Sequence, residues 1–206
     1  INRNLIEKTT HQTAADLLDK TGEIFVQKSQ LGGGSPMMRG FAANRILLSL
    51  DGIRLNNIIF RGGNIHNIIS IDPNILDGVE VLFGPASVIY GSDAIGGGIN
   101  FRTKDPTFKF KRLVNGSQNI QYNTSNNSKI YNLNVEIGNN KISNISSLSF
   151  SSYDDLISGS NQKRYPDFGL RNEYVKRDNI NETDVIIENP NPNKQIESGY
   201  SQVNFI

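Results

Sequence analysis

The 206-residue chain contains no cysteine, which excludes a disulfide framework, a thiolate metal site and a cysteine nucleophile. It has only two histidines, His11 and His66, too few for a histidine metal cage, and no Ser-His-Asp order stands out. Charge of one sign is also lacking: 21 Lys and Arg oppose 20 Asp and Glu, for a formal net charge of +1. The strong field expected of a nucleic-acid partner is therefore absent. No run of about 18 apolar residues occurs, so no transmembrane helix is predicted; a membrane would have to be crossed by a barrel. The chain opens at Ile1 without an initiator Met, a charged n-region or an apolar h-region, and we read a targeting segment as removed.

What is present falls into two halves of different character, with the boundary near residue 105. Residues 1–105 are rich in Gly and mix helix and strand signals. Thr13 stands three residues before Asp16, with Leu17 and Leu18 following and Gly22 closing the segment; this predicts a short capped helix. Ile24 to Gln27, Met37 to Arg39, Ile46 to Asp51 and Val79 to Phe83 read as strands between Gly-bearing turns. Asp51-Gly52 is a tight-turn signal, and Asp72-Pro73 opens a further helical turn. Gly84-Pro85 ends a strand, and Gly96 to Gly98 marks flexible or closely packed backbone. The expected product is a small α/β domain.

From residue 106 the chain is rich in Asn and Ser and carries strand and turn signals only. Tyr131, Leu133, Val135 and Ile137 alternate with Asn132, Asn134 and Glu136, placing every apolar side chain on one face of a strand. Gly138-Asn139-Asn140 reads as a tight turn through residues that tolerate positive φ, and Lys141 to Ser151 as the returning strand. Val114 to Tyr122 supplies a preceding strand. Asp154 to Glu197 is polar and without periodicity, which predicts one long loop before Tyr200 begins a fourth strand. Periodicity alone fits both a transmembrane barrel wall and a soluble antiparallel sheet with its apolar face inward.

Three stretches of the first half decide between these. They are Met38-Arg39-Gly40-Phe41 running through Asn44-Arg45-Ile46-Leu47-Leu48 to Asp51-Gly52-Ile53-Arg54-Leu55-Asn56; Leu76-Asp77-Gly78-Val79-Glu80-Val81-Leu82; and Gly84-Pro85-Ala86-Ser87-Val88-Ile89-Tyr90-Gly91 through Ser92-Asp93-Ala94-Ile95-Gly96-Gly97-Gly98-Ile99-Asn100. In kind and order they resemble the plug of TonB-dependent outer-membrane receptors. With the helix at Ala14 to Leu18, the resemblance covers about half the chain. It implies an α+β plug domain over 1–105, then over 106–206 the antiparallel strands of an incomplete transmembrane β-barrel: about three strands, a long extracellular loop and the start of a fourth. A 22-stranded barrel of this kind needs over roughly 200 residues in strands alone, so the chain is expected to be a piece of a larger receptor or to be completed by another chain.

The resemblance further implies a gated, non-enzymatic importer of the bacterial outer membrane. Its partners would be TonB and the proton-driven inner-membrane motor, outer-membrane lipid, and a scarce nutrient. Iron complexes rank first, with haem ahead of ferric siderophores and cobalamin third, on the stretch Asn56 through Ile71 and Asp72-Pro73. No cofactor, metal site or nucleic acid is implied. Ligand contact is expected at the apical loops Leu31 to Ser35 and Arg61 to Asn67, through Leu31, Gly33, Ser35, Arg61, Asn64, His66 and Asn67. Arg39 is expected to lock plug to barrel. The family usually has a second Arg where this chain has Phe83, so half of that lock is missing. No TonB-contacting box is identifiable in Ile1 to Gln12. The competing class is a non-transporting binding or adhesion domain on a soluble sheet, with Tyr131 to Ile137 protected inside a core.

Other motifs carry bland readings. Gly32-Gly33-Gly34 lacks a following Gly-Lys-Ser/Thr and is read as a turn. Asp154-Asp155, Glu182, Asp184 and Glu188 are read as loop carboxylates, and Met37 and Met38 as packing residues.

Overall fold

The computed structural model describes residues 1–9, 11–28, 34–42, 45–55, 68–84, 87–91, 94–159, 169–178, 180–196 and 198–205. The first half opens with helix α1 (Arg3–Lys8), which the sequence reading passed over; the Asn2 side chain caps it by accepting from the Leu5 amide at 3.1 Å. Helix α2 (Ala14–Asp19) follows with the expected capping box between Thr13 and Asp16. Its Ala14, Ala15, Leu17 and Leu18 are buried, so the cap sets the start of an element whose packing face is already apolar.

Strands β1 (Phe25–Lys28), β2 (Gly34–Met38) and β3 (Phe41–Ala42) form one small antiparallel sheet. Strand β2 thus begins three residues earlier than expected. Its first residue, Gly34, lies so close to α2 that a Cβ there would collide with the Ala15 side chain. Strands β4 (Ile46–Leu50), β5 (Ile53–Arg54), β6 (Leu76–Phe83) and, after the short helix α3 (Ser87–Tyr90), β7 (Gly97–Thr103) form a second sheet in the order β5-β4-β7-β6. Its centre is a parallel pair, with Ile46 opposite Gly97 and Leu50 opposite Phe101. The Asp51-Gly52 turn between β4 and β5 has φ of 51° and 80° at its two residues, the doubly positive geometry of a type I′ hairpin. Both sheets enclose a core of Leu17, Leu18, Ile24, Met38, Ile46, Ile68, Leu76, Val79, Ile99 and Phe101, joined by Ile6 of α1.

The second half is a four-stranded antiparallel sheet in the order β13-β10-β9-β8, built from β8 (Leu113–Asn123), β9 (Ser128–Gly138), β10 (Ser143–Tyr153) and β13 (Tyr200–Phe205). The turn between β9 and β10 corrects one sequence expectation. Among the described residues none of Gly138, Asn139 and Asn140 has positive φ; instead the Asn139 side chain accepts from the amides of Lys141 and Ile142 at 2.7 and 2.8 Å. The turn is closed by an Asx bond rather than by left-handed backbone. A second correction concerns the stretch after β10, which holds a hairpin of β11 (Glu173–Asp178) and β12 (Thr183–Glu188). Its base is tied by Asp155, which accepts from the amides of Ser198 and Gly199 and pairs with Lys194 at 3.2 Å.

Candidate functional site

The register of the four-stranded sheet sorts its side chains onto two unlike faces. Val114 and Ile120 of β8 stand opposite Ile137 and Tyr131 of β9, Tyr131 and Leu133 stand opposite Phe150 and Leu148 of β10, and these stand opposite Val203 and Phe205 of β13, with Tyr122 on the same face. This apolar face points away from the rest of the chain: Tyr131 is 37% and Ile137 47% exposed. A soluble sheet would bury that face. The opposite face carries Asn119, Gln121, Ser128, Asn132, Asn134, Ser147 and Ser149, and it packs on the first half.

The contact between the halves is made of hydrogen bonds. Asp72 caps the turn Pro73–Ile75 with one carboxylate oxygen, which accepts from the Asn74 amide at 2.9 Å. Its other oxygen accepts from the Ser149 hydroxyl of the wall. Both side chains are buried, so this bond is made out of water, where a carboxylate needs its donors most. Asn132 holds Ser149 in place by donating to it at 2.6 Å. Beside this pair Asn119 donates to the Asn74 side chain at 3.1 Å. The Gln12 side chain donates to Ser128 at 3.4 Å, and the Tyr153 hydroxyl donates to the Gln12 carbonyl at 2.9 Å.

A cavity of about 470 Å³ lies along this seam, lined by Glu7, Lys8, His11, Lys104, Asn119 and Gln121 among others. His11 is only 5% exposed and neither ring nitrogen has a hydrogen-bond partner among the described residues; burial pushes its pKa below the usual imidazole value. Burial likewise pulls the Lys104 ammonium down, while its Nζ donates to the Asn74 carbonyl at 2.8 Å.

Arg39 follows β2 with φ of 50°, is exposed, and its guanidinium lies 5.9 Å from the centroid of the Phe83 ring. Ser35 sits inside β2 rather than on a loop tip, 3% exposed, and its hydroxyl has no partner among the described residues. Leu31, Gly33, Arg61, Asn64, His66 and Asn67 lie outside the described residues. Met38 packs in the core as expected. Among the described residues no group of His, Asp and Glu has the arrangement of a metal site, and of the loop carboxylates Asp184 pairs with Arg177 at 3.2 Å. Sequence reasoning missed the seam residues Gln12, Asp72, Asn74, Asn119 and Ser149. The available signal was the polar side of the β9 alternation, which has to face something other than lipid.

A family model described as the TonB-dependent receptor plug domain matches residues 1–98. The chain is 39% identical over 107 residues to the vitamin B12 transporter BtuB of Vibrio vulnificus (strain CMCP6), an alignment covering 50% of this chain and 17% of that protein. It is 32% identical over 106 residues to the hemin receptor of Yersinia pestis, covering 51% and 15% respectively. The structure of a double mutant of the Serratia marcescens hemophore receptor HasR, in complex with its hemophore HasA and heme, superposes with a TM-score of 0.67 at 22% identity, over 78% of this chain and 25% of that one; this likeness shows the fold. The chain spans less than a fifth of the length of these two curated relatives. The family is one of transporters, not enzymes, and resides in the bacterial outer membrane. The chain thus carries a TonB-dependent receptor plug domain over residues 1–98, followed by antiparallel strands that match parts of the barrels of such receptors.

Proposed function

We propose that the chain supplies the gate, over residues 1–105, and the first wall strands, over 106–206, of a TonB-dependent importer of an iron complex, haem or a ferric siderophore. The observation that supports this most is the division of the sheet into an apolar face turned outward and a polar face hydrogen-bonded to the plug. Lipid outside and a polar lumen require that division. Strand length agrees: each of β8, β9 and β10 has 11 residues, about 37 Å of chain, which at a tilt of about 45° covers an apolar band of about 25 Å. No covalent chemistry enters this function; ligand capture at the cell surface would be followed by plug movement drawn by TonB and the proton-driven motor.

The relatives named above include a B12 transporter and a hemin receptor, and cobalamin is the third ligand of this reading. Uptake by cells whose only such receptor contains this chain is the test. Labelled haem or ferric siderophore should accumulate, and accumulation should stop when TonB is deleted. Accumulation of cobalamin alone would overturn the iron assignment, and uptake indifferent to TonB would overturn the importer reading.

A further inference from the structure

The connector between plug and wall reads Phe108-Lys109-Phe110-Lys111-Arg112, and the seam does not account for it. Phe110 is 97% and Phe108 64% exposed, and Lys109, Lys111 and Arg112 are exposed beside them. The segment is not loose. The Thr107 amide donates to the Glu136 carboxylate at 3.0 Å, the Ser143 hydroxyl donates to the Thr107 carbonyl at 2.8 Å, and the Lys109 amide donates to the Asn139 carbonyl at 3.2 Å. These bonds fix the connector against the short β9–β10 turn, where Lys141 and Ile142 are also exposed. Two aromatic rings, an isoleucine and four cations are thereby gathered at one end of the wall. The acids nearby are Asp105 and Glu136, and the latter carboxylate is already engaged by Thr107 and Asn115.

This end has a definite place in the bilayer. The outward apolar face continues to the pair Val114 and Ile137, one rung from the end of the strands, so the connector lies immediately beyond the hydrocarbon. The long connection from β10 (ending at Tyr153) to β13 (starting at Tyr200) leaves from the opposite end, which makes this end the periplasmic side of an outer-membrane wall, where connections are short. Resting on the wall reading above, we propose that Phe108, Phe110 and Ile142 together with Lys109, Lys111, Arg112 and Lys141 form a docking surface for anionic phospholipid headgroups of the periplasmic leaflet. Two observations single out that occupant: the surface is continuous with the lipid-facing side, and its excess of positive charge complements phosphate. Apolar rings enter the acyl boundary while flexible cations reach the headgroups. The connector would then hold the wall end of the chain at the membrane while the plug moves.

The chain has no native cysteine, so a spin label at Phe110→Cys reports a single site when the complete receptor is otherwise cysteine-free. In nanodiscs containing phosphatidylglycerol, lipid-soluble oxygen should relax this label more than a water-soluble nickel chelate, as it should a label at Val135→Cys on the outward face. Retention of phosphatidylglycerol, measured by native mass spectrometry, should fall about fivefold for each of Lys109, Lys111, Arg112 and Lys141 changed to Gln, and phosphatidylcholine retention should not change. A label at 110 open to nickel, or shielded from both relaxants by protein, overturns the anchor while lipid exposure at 135 keeps the wall reading. Shielding from oxygen at 135 overturns the wall reading itself. Equal retention of both lipids overturns the assignment to anionic headgroups.

Discussion

The guanidinium of Arg39 sits over the ring of Phe83 at 5.9 Å from its centroid. An aromatic face at that distance attracts the cation. Both residues belong to the plug, so the contact is made within it. Changing Phe83→Leu should cost the plug about 0.5–1 kcal/mol, and a double-mutant cycle with Arg39→Met should assign that loss to the pair. A coupling of zero would show the two groups to be mere neighbours. In the complete receptor, Arg39→Ala should also raise permeability to a bulky antibiotic.

Ser149 and Asp72 make the buried link across the seam. Removing the donor leaves a buried carboxylate short of one partner, which typically costs about 1–3 kcal/mol. Ser149→Ala should lower the urea concentration at which the plug detaches from the wall. Ser152→Ala, on the outward side of the same strand, should leave it within about 0.5 kcal/mol of the parent. Equal effects of the two would remove the seam from any role in holding the plug.

His11 gives the plug a pH dependence of known sign. Its pKa is lowered by burial in the folded state, so below the ordinary imidazole value of about 6.5 the unfolded chain binds the extra proton and the folded chain resists it. Its stabilising contribution is complete above that pH and is lost as pH falls through the folded pKa. Thermal melts between pH 7.5 and pH 5, values chosen as about one unit or more either side of the free imidazole, should show a fall that His11→Gln abolishes. An unchanged slope in the variant would assign the dependence to other groups.

Gly97 in β7 has φ of 134°, and a Cβ there would strike the Leu82 carbonyl and meet the Met38 methyl at 2.8 Å. Gly22 also has positive φ, 72°, but open space around it. Gly97→Ala combines backbone strain with a backbone clash and should cost about 3 kcal/mol or more, whereas Gly22→Ala carries strain of about 1 kcal/mol. Chemical denaturation of both variants measures the difference.

Local signals in the sequence were reliable where one short range of residues decides the outcome. The capping box at Thr13, the turn at Asp51-Gly52 and the alternation of β9 each depend on neighbours a few positions apart. Strand β7 was hidden because Gly97 and Gly98 suit many conformations and acquire a strand's geometry only beside β4, far away in sequence. The β11–β12 hairpin was hidden because Tyr174, Val175 and Val185 to Ile187 are short apolar clusters in a polar stretch, too brief to set a period. Ser35 was misplaced on a loop because the strand Gly34–Met38 begins within a glycine run. At the seam, Asp72 was legible as a cap, but the use of its second oxygen depends on Ser149, 77 positions away.

The parallel pair at the heart of the plug also bears on how the plug folds. Ser49 and Asn100, partners across β4 and β7, are 51 positions apart, so the apolar strand Ile46–Leu50 stays open on one edge until this distant partner arrives. Non-local closure of this kind is slow, and an unpaired apolar edge recruits other chains meanwhile. Changes in β7 are therefore expected to lower refolding yield as well as stability.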